Sequence, residues 1–190
     1  MRCGVLALQG DFAAHAAMLE RLGAVAVEVR TVAGLDGVEA LVLPGGESTT
    51  MLRLMDGEGL LDAVGERIDA GMPVLATCAG VVLLAREITP AQPSLARLDV
   101  AVRRNAYGRQ VASTVVALRL DPALGEPGSM DGVFIRAPRI ERLGPDVQAL
   151  AWRGDDPVLV RQGRLLAATF HPELTDDLRV HRLFLAMAGG

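Results

Sequence analysis

Hydrophobic and polar positions follow two different patterns along the first half of the chain. Short apolar runs predict buried β-strands at residues 3–8, 25–30, 38–43 and 73–77. Between these runs, apolar residues recur at helical spacing, which predicts helices at residues 12–22, 48–55, 58–70 and 79–86. Strands that alternate with helices favour a parallel sheet covered by helices on both sides.

The second half of the chain has another pattern. Short strands separated by Gly, Pro and Asp are predicted at residues 98–103, 111–119, 131–135, 146–152, 157–161 and 164–170. Gln162-Gly163 is a candidate hairpin turn between the last two strands. A final helix is predicted at residues 175–187, with Thr175 as its N-cap. Because no segment has the composition of a linker, we expect one α/β domain over residues 1–190 with a partly antiparallel region.

Composition narrows the functional classes. The chain has 190 residues, of which 51% are hydrophobic and 22% are charged, as in ordinary globular domains. Its formal net charge of −4 argues against a nucleic acid as the main partner. All 19 basic residues are arginines. A chain without lysine cannot form a side-chain Schiff base and lacks the lysine of a phosphate-binding P-loop, so both chemistries are excluded.

The cysteine content and the N-terminus bear on location. Cys3 and Cys78 are the two cysteines, which is too few for a disulfide framework. The N-terminal apolar run is shorter than the core of a signal peptide, and no stretch has the length of a membrane helix. We therefore expect a reduced, cytoplasmic protein without a membrane partner.

One cysteine has the setting of a nucleophile. Cys78 follows the apolar run 73–77 and precedes the small residues Ala79 and Gly80, which is the pattern of a strained strand-to-helix turn. The start of a helix favours the thiolate form of such a cysteine. The alternative is a small buried hydrophobic residue, which is the interpretation we adopt for Cys3.

A histidine and a carboxylate follow the last predicted strand. His171 comes directly after that strand, and Glu173 can orient its imidazole. Cys78, His171 and Glu173 would supply a nucleophile, a base and an orienting group. The alternative for His171 is a hydrogen-bonded loop residue.

The remaining histidines, His15 and His181, lie on predicted helices, and we expect surface or packing roles for them. Two cysteines and three histidines without metal-ligand spacing predict no metal site.

Three further segments are candidates for substrate binding. Residues 43–50 (LPGGESTT) join a strand to a helix, and adjacent glycines can turn backbone N–H groups toward a developing oxyanion. Ser48 could instead cap the helix, which would make the loop an ordinary one. Residues 103–110 and 134–138 can each present a guanidinium to a carboxylate ligand, or can be solvated loops.

Together these segments resemble the class I (triad) glutamine amidotransferases and, more narrowly, the glutaminase subunits of two-component pyridoxal 5′-phosphate synthases. Six blocks in family order carry the resemblance across nearly the whole chain: residues 4–10 (GVLALQG), 43–51 (LPGGESTTM), 77–80 (TCAG), 104–110 (RNAYGRQ), 134–138 (FIRAP) and 170–175 (FHPELT). The blocks GGESTT and FIRAP distinguish this subfamily from other triad glutaminases.

The resemblance implies a fold and a reaction. The fold would be a flavodoxin-like three-layer α/β/α sandwich with a mainly parallel central sheet and some antiparallel strands in the C-terminal half. The reaction would be the hydrolysis of L-glutamine to L-glutamate and ammonia without a cofactor. The ammonia would pass to the partner synthase (lyase) subunit that makes pyridoxal 5′-phosphate.

The resemblance also implies roles for individual residues. Cys78 would attack the side-chain amide, His171 would transfer protons, and Glu173 would hold His171. The backbone N–H groups of Gly46 and Ala79 would form the oxyanion hole. The residues that match glutamine-binding positions of the family are Gly46, Glu47, Ser48, Arg104, Ile135 and Arg136.

Gln9 matches a family residue that helps to order the oxyanion loop once the synthase docks. Two positions depart from the family: Ala76 stands where Gly is usual, and Thr114-Val115 stand where Phe-Glu is common. Because the chain has no lysine, the imine chemistry of pyridoxal phosphate synthesis falls to the second protein. The alternatives that remain open are the glutaminase subunit of another synthase and a cysteine peptidase-like relative on the same fold.

Overall fold

The computed structural model describes residues 1–57, 59–106, 113–124 and 129–189. Its strands are β1 Arg2–Leu6, β2 Val25–Val29, β3 Ala40–Leu43, β4 Val74–Thr77, β5 Ala85–Thr89, β6 Leu98–Arg103, β7 Thr114–Leu120, β8 Met130–Phe134, β9 Arg139–Leu143, β10 Gln148–Arg153, β11 Asp156–Gln162 and β12 Leu165–Ala168. Its α-helices are α1 Phe12–Arg21, α2 Ser48–Asp56, α3 Leu60–Asp69, α4 Ala79–Leu84 and α5 Arg179–Gly189.

A mixed sheet of nine strands organises the fold, in the order β2-β1-β3-β4-β12-β11-β10-β7-β8. The strands from β2 to β12 are parallel, and the pairs from β12 to β8 are antiparallel. A smaller sheet has the order β5-β6-β9. The predicted α/β architecture, with a parallel first half and a partly antiparallel second half, is confirmed.

The two faces of the large sheet are buried under different helices. Leu41 and Leu43 of β3 point into a core formed with residues of α2, α3 and α4. Their neighbours Ala40 and Val42 point into a second core, which includes residues of α1 and α5. Side chains alternate across a strand, so two covered faces require the continuous apolar run seen in β3.

The order of the strands brings three chain segments together. β3, β4 and β12 are neighbours and run parallel, so their carboxyl ends lie at the same edge of the sheet. The segments that leave these ends begin at Pro44, Cys78 and Thr169. Each is a segment in which the sequence places candidate chemistry.

Several predicted element boundaries are wrong. The helix predicted at 79–86 ends at Leu84, and the chain continues as β5, which pairs with β6. Strand β9 was not predicted. Both β5 and β9 are half-exposed and have no strong apolar run, so their pairing with β6 decides their conformation.

The last helix begins at Arg179 and not at Thr175. Thr175 instead accepts a hydrogen bond from the backbone of Asp177, in the loop that follows a short 3-10 turn. The tight turn of the final hairpin is Gly163-Arg164, because Gln162 still pairs with Leu165.

The residues at the N-cap positions of α2 and α1 differ in how their side chains are used. Glu47, and not Ser48, is the N-cap of α2, and its carboxylate accepts hydrogen bonds from Thr49 N and Thr50 N. Asp11 stands at the N-cap position of α1, but its side chain makes no capping bond. Residues 111 and 112 of the predicted strand 111–119 lie outside the described residues.

No helix in the described part of the chain is long and apolar enough to cross a membrane.

Candidate active site

Cys78 occupies a strained turn between β4 and α4. Its φ of +46° and ψ of −103° are unusual for a residue with a side chain. A Cβ atom on Gly80 would lie 2.1 Å from the carbonyl oxygen of Leu43, so α4 can approach the end of β3 this closely only with glycine there. The preceding Ala76 is a strand residue without a positive φ, and its extra methyl group is therefore accommodated.

His171 and Glu173 form a buried pair at the end of β12. The Nδ1 atom of His171 lies 2.7 Å from Oε1 of Glu173, and both side chains are almost fully buried. The 3-10 turn at Pro172–Leu174 brings the carboxylate back to the ring. Burial lowers the pKa of His171, but the Cys78 thiol and the Glu173 carboxylate outweigh burial and raise that pKa to about 10. The imidazole is therefore protonated at neutral pH.

The Gly45-Gly46 loop packs directly on these groups. A Cβ atom on Gly45 would lie 2.4 Å from Cε1 of His171 and 3.3 Å from Cβ of Cys78. Gly46 has a φ of +154°, which favours glycine. The sequence named both glycines as a candidate oxyanion loop and gave a role of its own to Gly46 alone; the packing of Gly45 against His171 is seen only in the structure.

Gln9 holds the far side of this loop. Its Oε1 atom accepts a 2.8 Å hydrogen bond from the backbone N–H of Glu47, the residue after Gly46. A Cβ atom on Gly46 would come within 3.0 Å of the same oxygen. The Gln9 side chain therefore contacts the Gly46–Glu47 peptide, which directly follows the peptide that carries the N–H group of Gly46.

Glu47 and Arg104 place opposite charges on one wall of the site. Hydrogen bonds from Thr49 and Thr50 lower the pKa of Glu47 to about 2, the Thr49 side chain contributing most. Nη2 of Arg104 lies 3.3 Å from Oε1 of Glu47. Ser48, which is buried, donates its hydroxyl to Oε1 of Gln92 at 3.1 Å. These contacts leave an ionised carboxylate and a guanidinium at the rim of the cavity.

One cavity of about 250 Å³ collects nearly all the predicted residues. The residues of the sequence-based site that line it are Gln9, Gly46, Glu47, Ser48, Cys78, Ala79, Arg104, Ile135, Arg136 and His171. Glu173 lies behind His171 and does not line the cavity. The wall also includes Gly45 of the glycine pair and residues to which the sequence gave no individual binding role: Gly10, Asp11, Val82, Asn105 and Pro138. Residues 107–110 of the predicted arginine segment lie outside the described residues.

A group of potential metal ligands lies at the edge of the cavity and behind it. Ligand atoms of Asp11, His171 and Glu173 lie within 4.8 Å of one another. His171 and Glu173 are already hydrogen-bonded to each other, and Asp11 is exposed. The arrangement fits an imidazole oriented by a carboxylate better than a coordination site.

The remaining histidines are not surface residues. His15 of α1 and His181 of α5 have no exposed area, and His15 Nδ1 lies 2.9 Å from His181 Nε2. Burial lowers the pKa of His15 well below its usual value, and it lowers the pKa of His181 to about 4. Both imidazoles are therefore neutral at pH 7.

The buried histidines predict a loss of stability in mild acid. An unfolded His181 takes up a proton near pH 6.5, whereas the folded residue does so near pH 4. Its contribution to the free energy of unfolding is therefore complete above pH 6.5 and is lost as the pH falls toward about 4. This difference corresponds to about 3 kcal/mol at about 1.4 kcal/mol per pH unit.

Urea unfolding of the wild type and of His181→Leu, measured from about pH 7 to about pH 4, tests this expectation. The variant should lose less stability across that range than the wild type does. Its stability at the upper end reports the packing cost of the substitution and serves as the internal control. Parallel curves for the two proteins would show that His181 is not the acid-sensitive group.

Comparison with known proteins gives one consistent result. A family model described as the SNO glutamine amidotransferase family matches residues 5–189. The chain is 53% identical over 189 residues to the pyridoxal 5′-phosphate synthase subunit PdxT of Solibacter usitatus, with 97% of this chain and 98% of that protein covered. It is 52% identical over 190 residues to the PdxT subunit of Moorella thermoacetica, with 100% of both chains covered.

Solved structures agree with this relationship. A crystal structure of a glutamine amidotransferase matches with a TM-score of 0.91 at 52% identity and covers 99% of each chain. The structure of PurLQS from Thermotoga maritima matches with a TM-score of 0.75 at 15% identity, covering 97% of each chain. The second likeness shows the fold alone.

Proposed function

The chain belongs to the SNO glutamine amidotransferase family, and from this premise we propose that Cys78, His171 and Glu173 are the catalytic triad of its glutaminase reaction. The protein is a glutaminase that supplies ammonia for pyridoxal 5′-phosphate synthesis. The observation that carries the triad is the 2.7 Å contact of Glu173 with His171, which lines the same cavity as Cys78.

The geometry supports a two-step hydrolysis. The Cys78 thiolate attacks the side-chain amide carbon of glutamine, and the N–H groups of Gly46 and Ala79 bind the oxyanion that forms. The His171 imidazolium gives its proton to the departing nitrogen, which leaves as ammonia. A γ-glutamyl thioester remains on Cys78. His171, now neutral, takes a proton from water, which attacks the thioester and releases glutamate.

The charged wall suits the amino-acid end of glutamine. Arg104 and Arg136 can each pair with the α-carboxylate of glutamine, and the Glu47 carboxylate can accept hydrogen bonds from its α-ammonium group. Ser48 and Ile135 would complete this glutamine-binding wall. The cavity of about 250 Å³ is below the usual range of about 300–1,000 Å³ for drug-sized ligands. A cavity of this size favours a single amino acid over a peptide segment, which argues against the peptidase alternative.

An assay with two substrates separates a glutaminase from a peptidase. The protein, with the synthase subunit present, is offered glutamine or an unrelated peptide, and both released ammonia and newly formed peptide amino groups are measured. Release from glutamine alone supports the proposal. Cleavage of the peptide without release of ammonia from glutamine would support a peptidase.

The partner is proposed to be the synthase subunit. The relative from Solibacter usitatus is itself named a subunit of pyridoxal 5′-phosphate synthase. This chain has no lysine for imine chemistry, so the carbonyl chemistry belongs to another protein. Ammonia would be lost or protonated in bulk water, which favours a sealed passage between the subunits.

We also propose that the fold is a flavodoxin-like three-layer α/β/α sandwich, because helices cover both faces of the large sheet. The cavity draws its walls from both halves of the chain, which supports one domain over residues 1–190.

Control by the partner predicts a measurable change in rate. Gln9 binds the N–H of Glu47, next to the peptide that would present the Gly46 N–H to the oxyanion, and a glycine peptide can rotate with little steric cost. Docking of the synthase would then shift the population toward the productive orientation. Loss of one oxyanion donor costs about 10²–10³ in rate, so the synthase should raise glutaminase kcat by about that factor.

The variant Gln9→Ala should suppress this activation, because the bond to Glu47 N is lost. Gln9→Glu keeps an acceptor oxygen and is the matched control, which should retain more of the activation. Glutaminase kcat is measured for each protein with and without the synthase. Equal rates with and without the synthase in the wild type would refute this mechanism.

A further inference from the structure

A chain of buried histidines continues behind the candidate triad. Oε1 of Glu173 is hydrogen-bonded to Nδ1 of His171, and Oε2 of the same carboxylate lies 3.2 Å from Nε2 of His15. The same Nε2 atom lies 3.0 Å from Oγ1 of Thr77, the residue before Cys78. On its other side, Nδ1 of His15 lies 2.9 Å from Nε2 of His181. His15 thus contacts Thr77, the residue before Cys78, and Glu173, the partner of His171, and it does not line the cavity.

The protonation state of this chain follows from its surroundings. Burial is the main cause that lowers the pKa of His15, and the nearby His181 and His171 lower it further. Neutral His15 therefore carries one N–H, on either Nε2 or Nδ1. The positions of Glu173 and His181 decide between these two tautomers.

A proton on Nδ1 would leave two poor contacts. His181 would then accept at Nε2 and carry its own proton on Nδ1, a buried atom without a hydrogen-bond partner in the described residues. The bare Nε2 of His15 would face the carboxylate oxygen of Glu173 at 3.2 Å. Buried N–H groups without an acceptor are rarer than unpaired acceptors, so this arrangement is disfavoured.

A proton on Nε2 resolves both contacts. His181 then donates from Nε2 to Nδ1 of His15, and its Nδ1 is left as a bare acceptor. The Nε2–H of His15 then donates to Oγ1 of Thr77 at 3.0 Å, and the same nitrogen lies 3.2 Å from Oε2 of Glu173, a buried oxygen that accepts no hydrogen bond among the described residues. Such outer groups fix the orientation of the side chains that act on a reacting centre.

We propose that His15 is a positioning residue for glutamine hydrolysis, whose Nε2–H, bonded to Thr77, attracts the neighbouring carboxylate of Glu173 and holds it against His171. The proposal rests on the glutaminase function and adds a fourth side chain to it. If Glu173 rotated, Oε1 would lose its hydrogen bond to His171, and Oε2 would move away from the N–H of His15. Without His15, the carboxylate can turn away from Nδ1 of His171, and the imidazole loses its fixed orientation.

A pair of substitutions tests the Nε2–H group of His15 separately from the packing of its side chain. His15→Leu removes the donor but keeps a buried side chain. His15→Gln places an amide nitrogen the same number of bonds from Cα as Nε2 of histidine. With synthase present and active sites counted by a covalent glutamine analogue, His15→Leu should lower kcat by about 10- to 100-fold with little change in KM.

His15→Gln should recover most of that kcat. An unchanged kcat in His15→Leu, or equal losses in the two variants, would overturn the proposal, because packing alone would then explain the residue. A wild type that releases no ammonia from glutamine would instead contradict the proposed function, so the two failures are distinguishable.

A second measurement does not need a variant to fold. Nitrogen NMR of the wild-type protein with ¹⁵N-labelled histidine identifies which ring nitrogen carries the proton. We expect His15 protonated at Nε2 and bare at Nδ1, and His181 likewise protonated at Nε2. A proton on Nδ1 of His15 would overturn the proposal whatever the kinetics show.

Discussion

Replacement of Cys78 by alanine is expected to abolish ammonia release from glutamine. Removal of the nucleophile of a catalytic triad typically costs about 10⁶ in kcat, because no other group can form the covalent intermediate. The fold should survive, since the exchange removes one sulfur atom at a turn that small residues already surround. Ammonia assays of Cys78→Ala with the synthase present measure the loss.

Cys3 provides the matched control. It is fully buried in β1, and burial raises the pKa of its thiol to about 11. An electrophilic glutamine analogue should therefore label Cys78 alone, and Cys3→Ala should keep the glutaminase rate. Full activity in Cys78→Ala, or labelling at Cys3 alone, would refute the proposed nucleophile.

The second large effect is expected at His171. His171→Asn should lower kcat by about 10⁴–10⁶, because the same imidazole serves both proton transfers. Glu173→Gln should cost about 10- to 100-fold less than that, since the orienting group acts only through His171. Steady-state ammonia assays of both variants, again with the synthase, give the comparison.

A carboxylate outside the site controls for loss of charge. Glu87 lies exposed on the smaller sheet and pairs with Arg142, so Glu87→Gln should leave kcat unchanged. Near-normal turnover in His171→Asn would mean that another residue is the base. If Glu173→Gln lost more kcat than His171→Asn, the roles proposed for the two residues would be wrong.

The candidate site was predictable because its parts are local. Cys78, His171 and the Gly45-Gly46 pair each directly follow an apolar run, and such runs are visible in the sequence. Parallel neighbouring strands then bring their carboxyl ends together as a general property of such sheets. Glycine at position 45 is explained only by the structure, where it packs against the His171 ring.

Other features depend on partners that are distant in the chain. His15 and His181 are separated by 166 positions, and each stands on an ordinary amphipathic helix, so neither helix pattern predicts their contact. β5 was predicted as the end of a helix, because the sequence does not show that β6 offers a pairing edge. The cap of α2 is Glu47, because its longer side chain reaches the backbone of Thr49 and Thr50.

One nitrogen atom offers the most direct test of the proposed reaction and partnership. Glutamine labelled with ¹⁵N in its side-chain amide is given to the complex of this protein with the synthase, in the presence of excess unlabelled ammonium. With the wild type, we predict that the ring nitrogen of the pyridoxal 5′-phosphate carries the label. With Cys78→Ala, we predict an unlabelled ring nitrogen that comes from the added ammonium. Unlabelled product from the wild type, with the label still in glutamine, would contradict both the reaction and the delivery of ammonia.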